Sequence, residues 1–263
     1  MIGRIGTYAA ALAALGIVLG SSAAARAAQG RRRFEPTDLR LQPAGVAELD
    51  LQAGPASGED GQRLFAPDFE TSLGIGSHIA IEIDGTFGLD DYTTPTFLDN
   101  TLVGVRVEVL DEPDGDDATS AWSAGFQAGP RLPTLPDRTR LGFEELLIVG
   151  RTTGRMHVFF QAGTIVDPLE PVPGRAHKVR PVGIEGGIAA DLDLDEKGTW
   201  SLTGELGGVK YLSPQRDQLH VAGGPQLQVT PWLDVSLVGL VGVLSGGDRL
   251  GLFLGADTRF EVF

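Results

Sequence analysis

Twelve runs of about ten residues, in which apolar residues alternate with polar residues or glycine, cover most of the sequence from residue 45 onward. A two-residue period is that of a β-strand whose two faces meet different surroundings. In the clearest run Ile79, Ile81 and Ile83 share one face, while Glu82 and Asp84 share the other. One face avoids water and the other seeks it. The predicted strands are 45–54, 68–76, 78–89, 101–110, 120–130, 142–150, 155–165, 181–194, 199–211, 217–229, 232–244 and 249–263.

The spacing of these runs favours a membrane barrel over a soluble β-sandwich, although alternation alone fits both. Transmembrane barrels of bacteria have an even number of strands, with short turns on one side and longer loops on the other. The sequence therefore predicts an all-β fold, an antiparallel up-and-down transmembrane β-barrel of about 12 strands. The short connections are predicted at 76–77, 151–154, 195–198 and 230–231, with a longer exception at 111–119, and the long ones at 55–67, 90–100, 131–141 and 166–180.

The three tryptophans support this arrangement. Trp122, Trp200 and Trp232 each fall at the start of a strand that runs outward from the predicted turn side. Indole rings prefer the boundary between membrane and water, where both the apolar ring and the N–H group are satisfied. We therefore predict that the three are membrane-interface aromatics at one level, with Tyr92, Phe97 and Tyr211 as candidates for the opposite level.

The chain ends in an alternating run, 250–263, that closes on Phe263. A terminal strand closing on phenylalanine resembles the assembly signal of bacterial outer-membrane barrels, and this resemblance implies a strand that closes the barrel and a partner in the barrel assembly machinery. Phe263 shares parity with Arg259 and Glu261, whereas Phe260 lies on the apolar face. Either a bulge shifts the register near 258–261, or Phe260 is the effective terminal aromatic.

Patterning and turn style in 218–263 and 69–89 also resemble the small transporter-type barrels of phenol-degradation meta-pathways. Strands with glycine-spaced apolar residues and tight turns such as 229–232 carry this likeness. The resemblance implies a barrel in the outer membrane, in contact with its lipid, that passes small solutes.

The N-terminal residues have the pattern of a secretory signal peptide. Arg4 is followed by an apolar run over 9–20 and by a small-residue exit at 25–27, so residues 1–27 are predicted to be removed. An uncleaved anchor is the rival interpretation, because a spanning helix takes about 20 apolar residues. Residues 28–44 are predicted to form a periplasmic lead segment, either a solvated linker or a plug of the barrel, and residues 45–263 the barrel itself.

The charge of the chain restricts its partners. Loss of Arg4 and Arg26 with the signal peptide changes the net charge from −14 to −16, and this excludes nucleic acid as an expected partner. Carboxylates in a narrow, water-filled passage attract cations, so we expect a modest cation preference, or else side chains that merely keep the interior wet. The polar parities predict these lumen-facing residues: Glu70, Glu82, Asp84, Arg106, Glu108, Glu185, Asp191, Asp193 and Glu205.

A 12-stranded barrel is narrow, because eight strands leave a filled interior and sixteen or more leave a wide channel. Inward apolar side chains narrow it further or line a path for an apolar solute. The sequence predicts this role for Phe159, Val238, Leu240 and Phe253.

No catalytic constellation, cofactor motif or metal site is predicted. His220 with Asp217 and Ser213 is the grouping that most resembles a hydrolytic site, but it has no fixed nucleophile. Asp191, Asp193 and Asp195 have the spacing of a calcium loop, yet Glu196 stands where such loops require glycine. With no cysteine in the chain, thiolate metal sites and a lipid-modified N-terminus are excluded.

Three functions follow from these patterns. The first is a passive channel or transporter-like pore for small solutes with a net acidic lumen. The second is a structural or surface-interaction barrel with a closed lumen, and the third is a secreted soluble β-protein. The first two require the apolar faces to meet lipid, whereas the third requires them to meet one another.

Overall fold

A computed structural model describes residues 41–58, 61–111, 120–171, 178–213 and 215–263. The predicted signal peptide and nearly all of the lead segment lie outside these ranges. Within them, no helix is long and apolar enough to cross a bilayer. The strands are β1 (Val46–Gly58), β2 (Gly61–Gly74), β3 (Ile79–Asp90), β4 (Thr94–Phe97), β5 (Leu102–Asp111), β6 (Ser120–Gly129), β7 (Phe143–Thr153), β8 (Met156–Val166), β9 (Glu170–Pro171), β10 (Lys178–Val179), β11 (Val182–Asp193), β12 (Trp200–Ser213), β13 (Gln218–Thr230), β14 (Leu233–Gly242) and β15 (Asp248–Glu261).

Twelve of these strands form one closed antiparallel barrel, which confirms the predicted fold class. Each long strand pairs with its neighbours in the chain, and β15 returns to pair with β1 from Val46 opposite Glu261 to Gly58 opposite Asp248. The remaining strands, β4, β9 and β10, are short pieces in the connections. Closure leaves no unpaired sheet edge, as a β-structure must if it is to lie in hydrocarbon.

The two surfaces of the barrel are reversed relative to a water-soluble protein. Large apolar side chains are exposed on the outside, including Leu147 at 59% and Leu254 at 68%, while Glu82, Arg106 and Asp257 are almost fully buried inside. Such an exterior is stable in acyl chains, whereas a soluble sandwich would bury it between two sheets. The chain is therefore a membrane-spanning barrel of the outer-membrane type, and the soluble alternative is wrong.

Short connections gather at one end of the barrel, which we call the turn end. Glycine with positive φ closes two of them: Gly198 (φ 65°) in the predicted turn 195–198, and Gly154 (φ 57°) between β7 and β8. This second turn is shorter than the predicted 151–154, because Thr153 still pairs with Met156. The connection 112–119 lies outside the described residues.

The first connection at the opposite end, the loop end, departs from the prediction. Residues 55–67 were expected to form a long loop, but β1 and β2 continue to Gly58 and Gly61, which face each other. The register shifts on both sides of β2, between Gln52 and Gly54 and between Phe65 and Asp68. Pro67, which has no N–H to donate, lies within the second shift. These irregularities interrupt the alternation by which the strands were recognised.

Longer segments at the loop end pair with a barrel strand and with one another. β4 pairs with the outer part of β3, where the Phe87 and Phe97 rings meet edge to face with centroids 5.6 Å apart. β9 and β10 form a small hairpin, and Thr139 bridges to Leu169. Through these contacts the loops form part of the wall of the interior.

Candidate functional site: a polar cavity inside the barrel

A cavity of about 890 Å³ occupies the interior, from the loop end to the middle of the barrel. Its wall combines strand residues with loop residues such as Leu135, Arg138 and Pro171. In the part of the chain that the structure describes, three arginines line it: Arg63, Arg138 and Arg216. Its carboxylates are more numerous: Asp50, Asp68, Glu70, Glu82, Asp84, Asp99, Glu144, Asp167, Glu170, Glu185, Glu205 and Asp248.

Arg106, on β5, forms ion pairs with carboxylates at the middle of the barrel. Its Nη2 lies 2.6 Å from Glu82 Oε2 and 3.3 Å from Glu70 Oε1, and it donates to Gln127 Oε1 at 3.1 Å. The guanidinium is almost completely shielded. A charge so placed must be paired, because an isolated buried ion is costly. Strand alternation brings these groups together, since β2, β3 and β5 are consecutive in the sheet.

A second arginine, Arg131, connects the loops at the loop end. Its Nη2 lies 2.9 Å from Asp99 Oδ1 and its Nε lies 3.1 Å from Asp167 Oδ1, and Nη1 also binds Glu144. Tyr211 Oη donates to the other oxygen of Asp167 at 3.2 Å. Arg131 thus joins the connections after β4, β6 and β8. We call these five residues the loop-end cluster.

The charges of the loop-end cluster perturb one another. Burial acts to lower the pKa of Arg131, but Asp99, Glu144 and Asp167 more than reverse this, so that pKa is raised well above its ordinary value. Burial raises the pKa of Asp167, and the attraction of Arg131 offsets only part of the effect. Asp167 therefore holds its proton more tightly than a solvated aspartate does.

A third arginine, Arg259, lies near the turn end, where the barrel closes. Its Nε is 2.9 Å from Glu48 Oε1, and its Nη2 is 2.9 Å from Asp257 Oδ2 and 3.2 Å from Asp234 Oδ2. Gln42 donates to the second Glu48 oxygen at 2.7 Å. Neither Arg259 nor its three carboxylates line the cavity. These five residues, the turn-end cluster, lie between the cavity and the turn end.

Sequence reasoning missed both of these clusters. Arg259 had been placed on the polar parity of the last strand, and Glu48 and Asp234 fall on the polar parity of theirs, so alternation was an available signal. Arg131 lies beyond β6 in a connection, where no periodicity indicates direction. Its partners were not accessible to pattern analysis.

The predicted lumen residues divide into two groups. Glu70, Glu82, Asp84, Glu185 and Glu205 line the cavity, with Arg106 behind them. The other three lie nearer the turn end: Asp191 is buried at 6% exposure, Glu108 Oε2 is 3.8 Å from His78 Nδ1, and Asp193 Oδ2 is 3.8 Å from His157 Nε2.

The predicted interface aromatics lie at the turn end. Trp122 and Trp200 are 42% and 47% exposed at the starts of β6 and β12, and Trp232 directly precedes β14. Arg151 stacks over the Trp122 ring at 4.6 Å. Tyr211, expected at the opposite level, is instead buried and donates to Asp167. Its hydroxyl finds a charged acceptor inside, which an outward ring would lack.

The last strand keeps its register to the end. Phe260 pairs with Ala47 and Glu261 with Val46, without a bulge over 258–261. Phe260 thus stays on the apolar parity, and Phe263 follows the end of β15 and is 82% exposed. The bulge alternative is therefore wrong, and Phe260 is the last aromatic within the strand.

The candidate hydrolytic and calcium groupings have other structural roles. His220 Nε2 lies 2.8 Å from Glu205 Oε1, whereas Asp217 binds Lys210 and accepts from the Tyr211 N–H. The side chain of Ser213 lies outside the described part of the chain. Asp195 accepts the N–H groups of the turn that follows it, and its pKa is lowered chiefly by the Trp200 N–H. In the described ranges no group of three or more acidic or histidine side chains is arranged for a metal.

Comparison with solved structures agrees with the fold. The chain is similar to the NanC porin, with a TM-score of 0.57 and 9% identity over 81% of this chain and 99% of the porin. It is also similar to a membrane protein from a study of in-meso crystallization, with a TM-score of 0.50 and 9% identity over 82% and 83% of the two chains. At this identity the likeness concerns the fold. No family model and no curated protein matches the sequence, so the narrower phenol-degradation resemblance stays a prediction.

Proposed function

We propose that this outer-membrane-type β-barrel is a passive channel for small solutes that favours cations. The observation that carries the proposal is the imbalance of charge around the cavity, where, among the described residues, twelve carboxylates face three arginines. Arg106 and Arg131 neutralise part of this charge from behind, and the lining remains net acidic. The long connections would then face the outside and the turn end the periplasm.

The physical basis of the preference is the low-dielectric wall. A narrow aqueous passage through a protein and its lipid surroundings focuses the field of lining charges, so cations concentrate there and anions are depleted. Glu185 and Glu205 lie on the neighbouring strands β11 and β12, where no arginine of the lining occurs. In this proposal they form part of the path that a cation takes.

Reversal potentials of the refolded protein in planar bilayers, measured across a potassium chloride gradient, test the proposal. We expect a sign that indicates potassium over chloride. Glu185→Gln should move the potential toward zero, because it removes a lining charge. The matched control is Glu145→Gln, which removes the same charge from an exposed site on β7 and should leave the potential unchanged. Chloride preference, or equal shifts in the two variants, would contradict the proposal.

A closed-lumen structural barrel is the second candidate, and the turn-end cluster favours it. Arg259 and its three carboxylates occupy the interior between the cavity and the turn end. If they block the passage, the cavity is a vestibule open only at the loop end. Wild-type protein that is correctly folded but carries no current would support this second function over the first.

We also propose that the terminal strand engages the barrel assembly machinery. β15 presents Phe260 half-buried at its end and Phe263 exposed beyond it, next to the seam with β1. Deletion of 261–263 should reduce the amount of folded barrel in outer-membrane fractions without preventing refolding of the purified chain in detergent. Unchanged assembly would show that these residues are not recognised.

A further inference from the structure

The cavity has an apolar wall that a channel for hydrated ions does not require. Val238 is 1% exposed, Ala56 2% and Phe253 7%, and they form one cluster with Ala222. Phe65 and Leu240 pack against this cluster from the same interior. We call these six residues the lumen patch. Barrel interiors of this class are polar, so a continuous hydrocarbon surface inside is a departure that calls for an explanation.

The lumen patch belongs to five adjacent strands. It extends over β13, β14, β15, β1 and β2, which are consecutive neighbours in the sheet. Phe65 and Phe253 meet edge to face, with ring centroids 5.2 Å apart and planes at 85°. This geometry is the preferred one for aromatic pairs. All the patch residues except Ala56 line the 890 Å³ cavity, so the surface is accessible to a solute.

Carboxylates border the lumen patch directly. Glu205 pairs across the sheet with Ala222, which pairs in turn with Leu240. On the other side of the patch, Glu70 lies on β2, the strand of Phe65, and pairs with Asp84 of the neighbouring β3. Two basic groups are also near: Arg63, whose Nη1 lies 3.9 Å from Asp248, and His220, whose ring lies 2.8 Å from Glu205. Arg106 contacts Glu70 in addition, so four carboxylates (Glu70, Asp84, Glu205 and Asp248) face two arginines and one histidine, and the border of the patch stays net acidic.

We propose that the cavity binds amphipathic organic cations, with an aromatic or branched alkyl group on the lumen patch and an ammonium group toward Glu205. The apolar wall favours burial of hydrocarbon and the carboxylates attract the positive charge. The faces of Phe65 and Phe253 add a further attraction for cations. A cavity of about 890 Å³ is within the usual size range for small-molecule sites. This inference rests on the proposed cation preference and names the solute class that it serves.

The test compares two quaternary ammonium probes that carry the same charge. Calorimetric titration of the refolded full chain in detergent should show benzyltrimethylammonium binding about tenfold or more tightly than tetramethylammonium, because only the former buries a ring. Phe253→Leu should remove most of this difference, and Glu205→Gln should weaken both probes. The control Phe160→Leu changes an exposed ring on the outside of β8 and should leave both affinities unchanged.

The possible outcomes separate this inference from the proposed channel. Equal affinities for the two probes, or no binding heat for either, would overturn the inference even if the barrel conducts potassium selectively. A ring-dependent affinity in a barrel that carries no current would support the inference and overturn only the channel. Heat-modifiable migration of the protein on a gel reports folding independently of binding. If Phe253→Leu fails to fold, Val238→Thr replaces it, because this change places a hydroxyl in the patch at similar volume.

Discussion

We predict that Asp167 makes the loop end sensitive to pH. It lies in the connection after β8, where burial raises its pKa and Arg131 offsets part of the rise. A carboxyl whose pKa is raised in the folded loop-end cluster binds its proton more tightly there than when the cluster comes apart. The stabilisation is complete below the ordinary aspartate pKa and is lost as pH rises through the raised one. Acidification therefore favours the loop arrangement that the loop-end cluster holds together.

We predict that the proposed channel conducts less as pH falls from neutrality toward the ordinary aspartate pKa, and that Asp167→Asn weakens this dependence. Asparagine imitates the protonated acid, so its charge no longer changes with pH. Single-channel recordings over this range provide the measurement. The control is Asp137→Asn, the same change at an exposed loop residue. A pH dependence that survives in Asp167→Asn at full strength would assign the response to other groups.

The residue scale also shows where pattern analysis ends. Alternation was sufficient to group Glu82 with Arg106, because neighbouring strands fix which side chains point inward. It was not sufficient for Arg131, which meets Asp167 across 36 positions of sequence through the packing of two loops. Tyr211 shows the same limit. Its hydroxyl was expected at the interface and instead found a carboxylate that only the folded loops bring near.

At the scale of elements, the seam between β1 and β15 depends on Arg259. Its guanidinium connects Glu48 of β1 with Asp234 of β14 and Asp257 of its own strand, all of them buried. Arg259→Met keeps much of the volume and removes the guanidinium that these three buried carboxylates contact. We predict a loss of about 3–5 kcal/mol in the free energy of unfolding, as expected when one partner of a buried ionic group is removed.

Urea unfolding of the refolded barrel in lipid vesicles measures this loss. The matched control is Arg155→Met, because Arg155 makes an exposed pair with Glu196 at 3.5 Å in a turn-end connection. Exposed pairs contribute about 0–1 kcal/mol, so the control should stay close to wild type. Equal stabilities of the two variants would mean that the turn-end cluster is not what holds the seam.

Turns and irregular strands differ in how well they could be predicted. The turn 195–198 was identified because aspartate and glycine stand where a tight turn needs them, and Gly198 has a φ of 65° with the Asp195 carboxylate accepting three N–H groups. The prediction of a long loop at 55–67 was wrong, because Pro67 and the register shifts in β2 interrupt the two-residue period of the first hairpin. A tight turn can be predicted from the residues that form it, whereas a β-bulge can be located only when the partner strand and its register are known.

At the scale of the whole molecule, the apolar exterior decides which solvent the barrel occupies. Ten of the twelve barrel strands carry exposed leucine, isoleucine, valine or phenylalanine on their outer face. The other two, β1 and β2, carry smaller or half-buried residues on that face. Tryptophans stand near the turn end of this surface. An apolar band of about 25 Å matches strands of this length when they tilt by about 35–45°.

The exterior band makes a depth-dependent prediction for β12. Leu206 is exposed six residues from Trp200, so a tilted strand places it near the middle of the band, whereas Leu212 is exposed near the loop end of the same strand. Leu206→Arg should cost about 2–4 kcal/mol and Leu212→Arg about 0–1 kcal/mol, because hydrocarbon solvates a guanidinium poorly and the interface solvates it well. Unfolding titrations in vesicles give both values. Since both variants add the same charge to the same strand, a common electrostatic effect cancels between them. Equal costs would mean that Leu206 does not face hydrocarbon, and the assignment of the apolar surface to lipid would then be wrong.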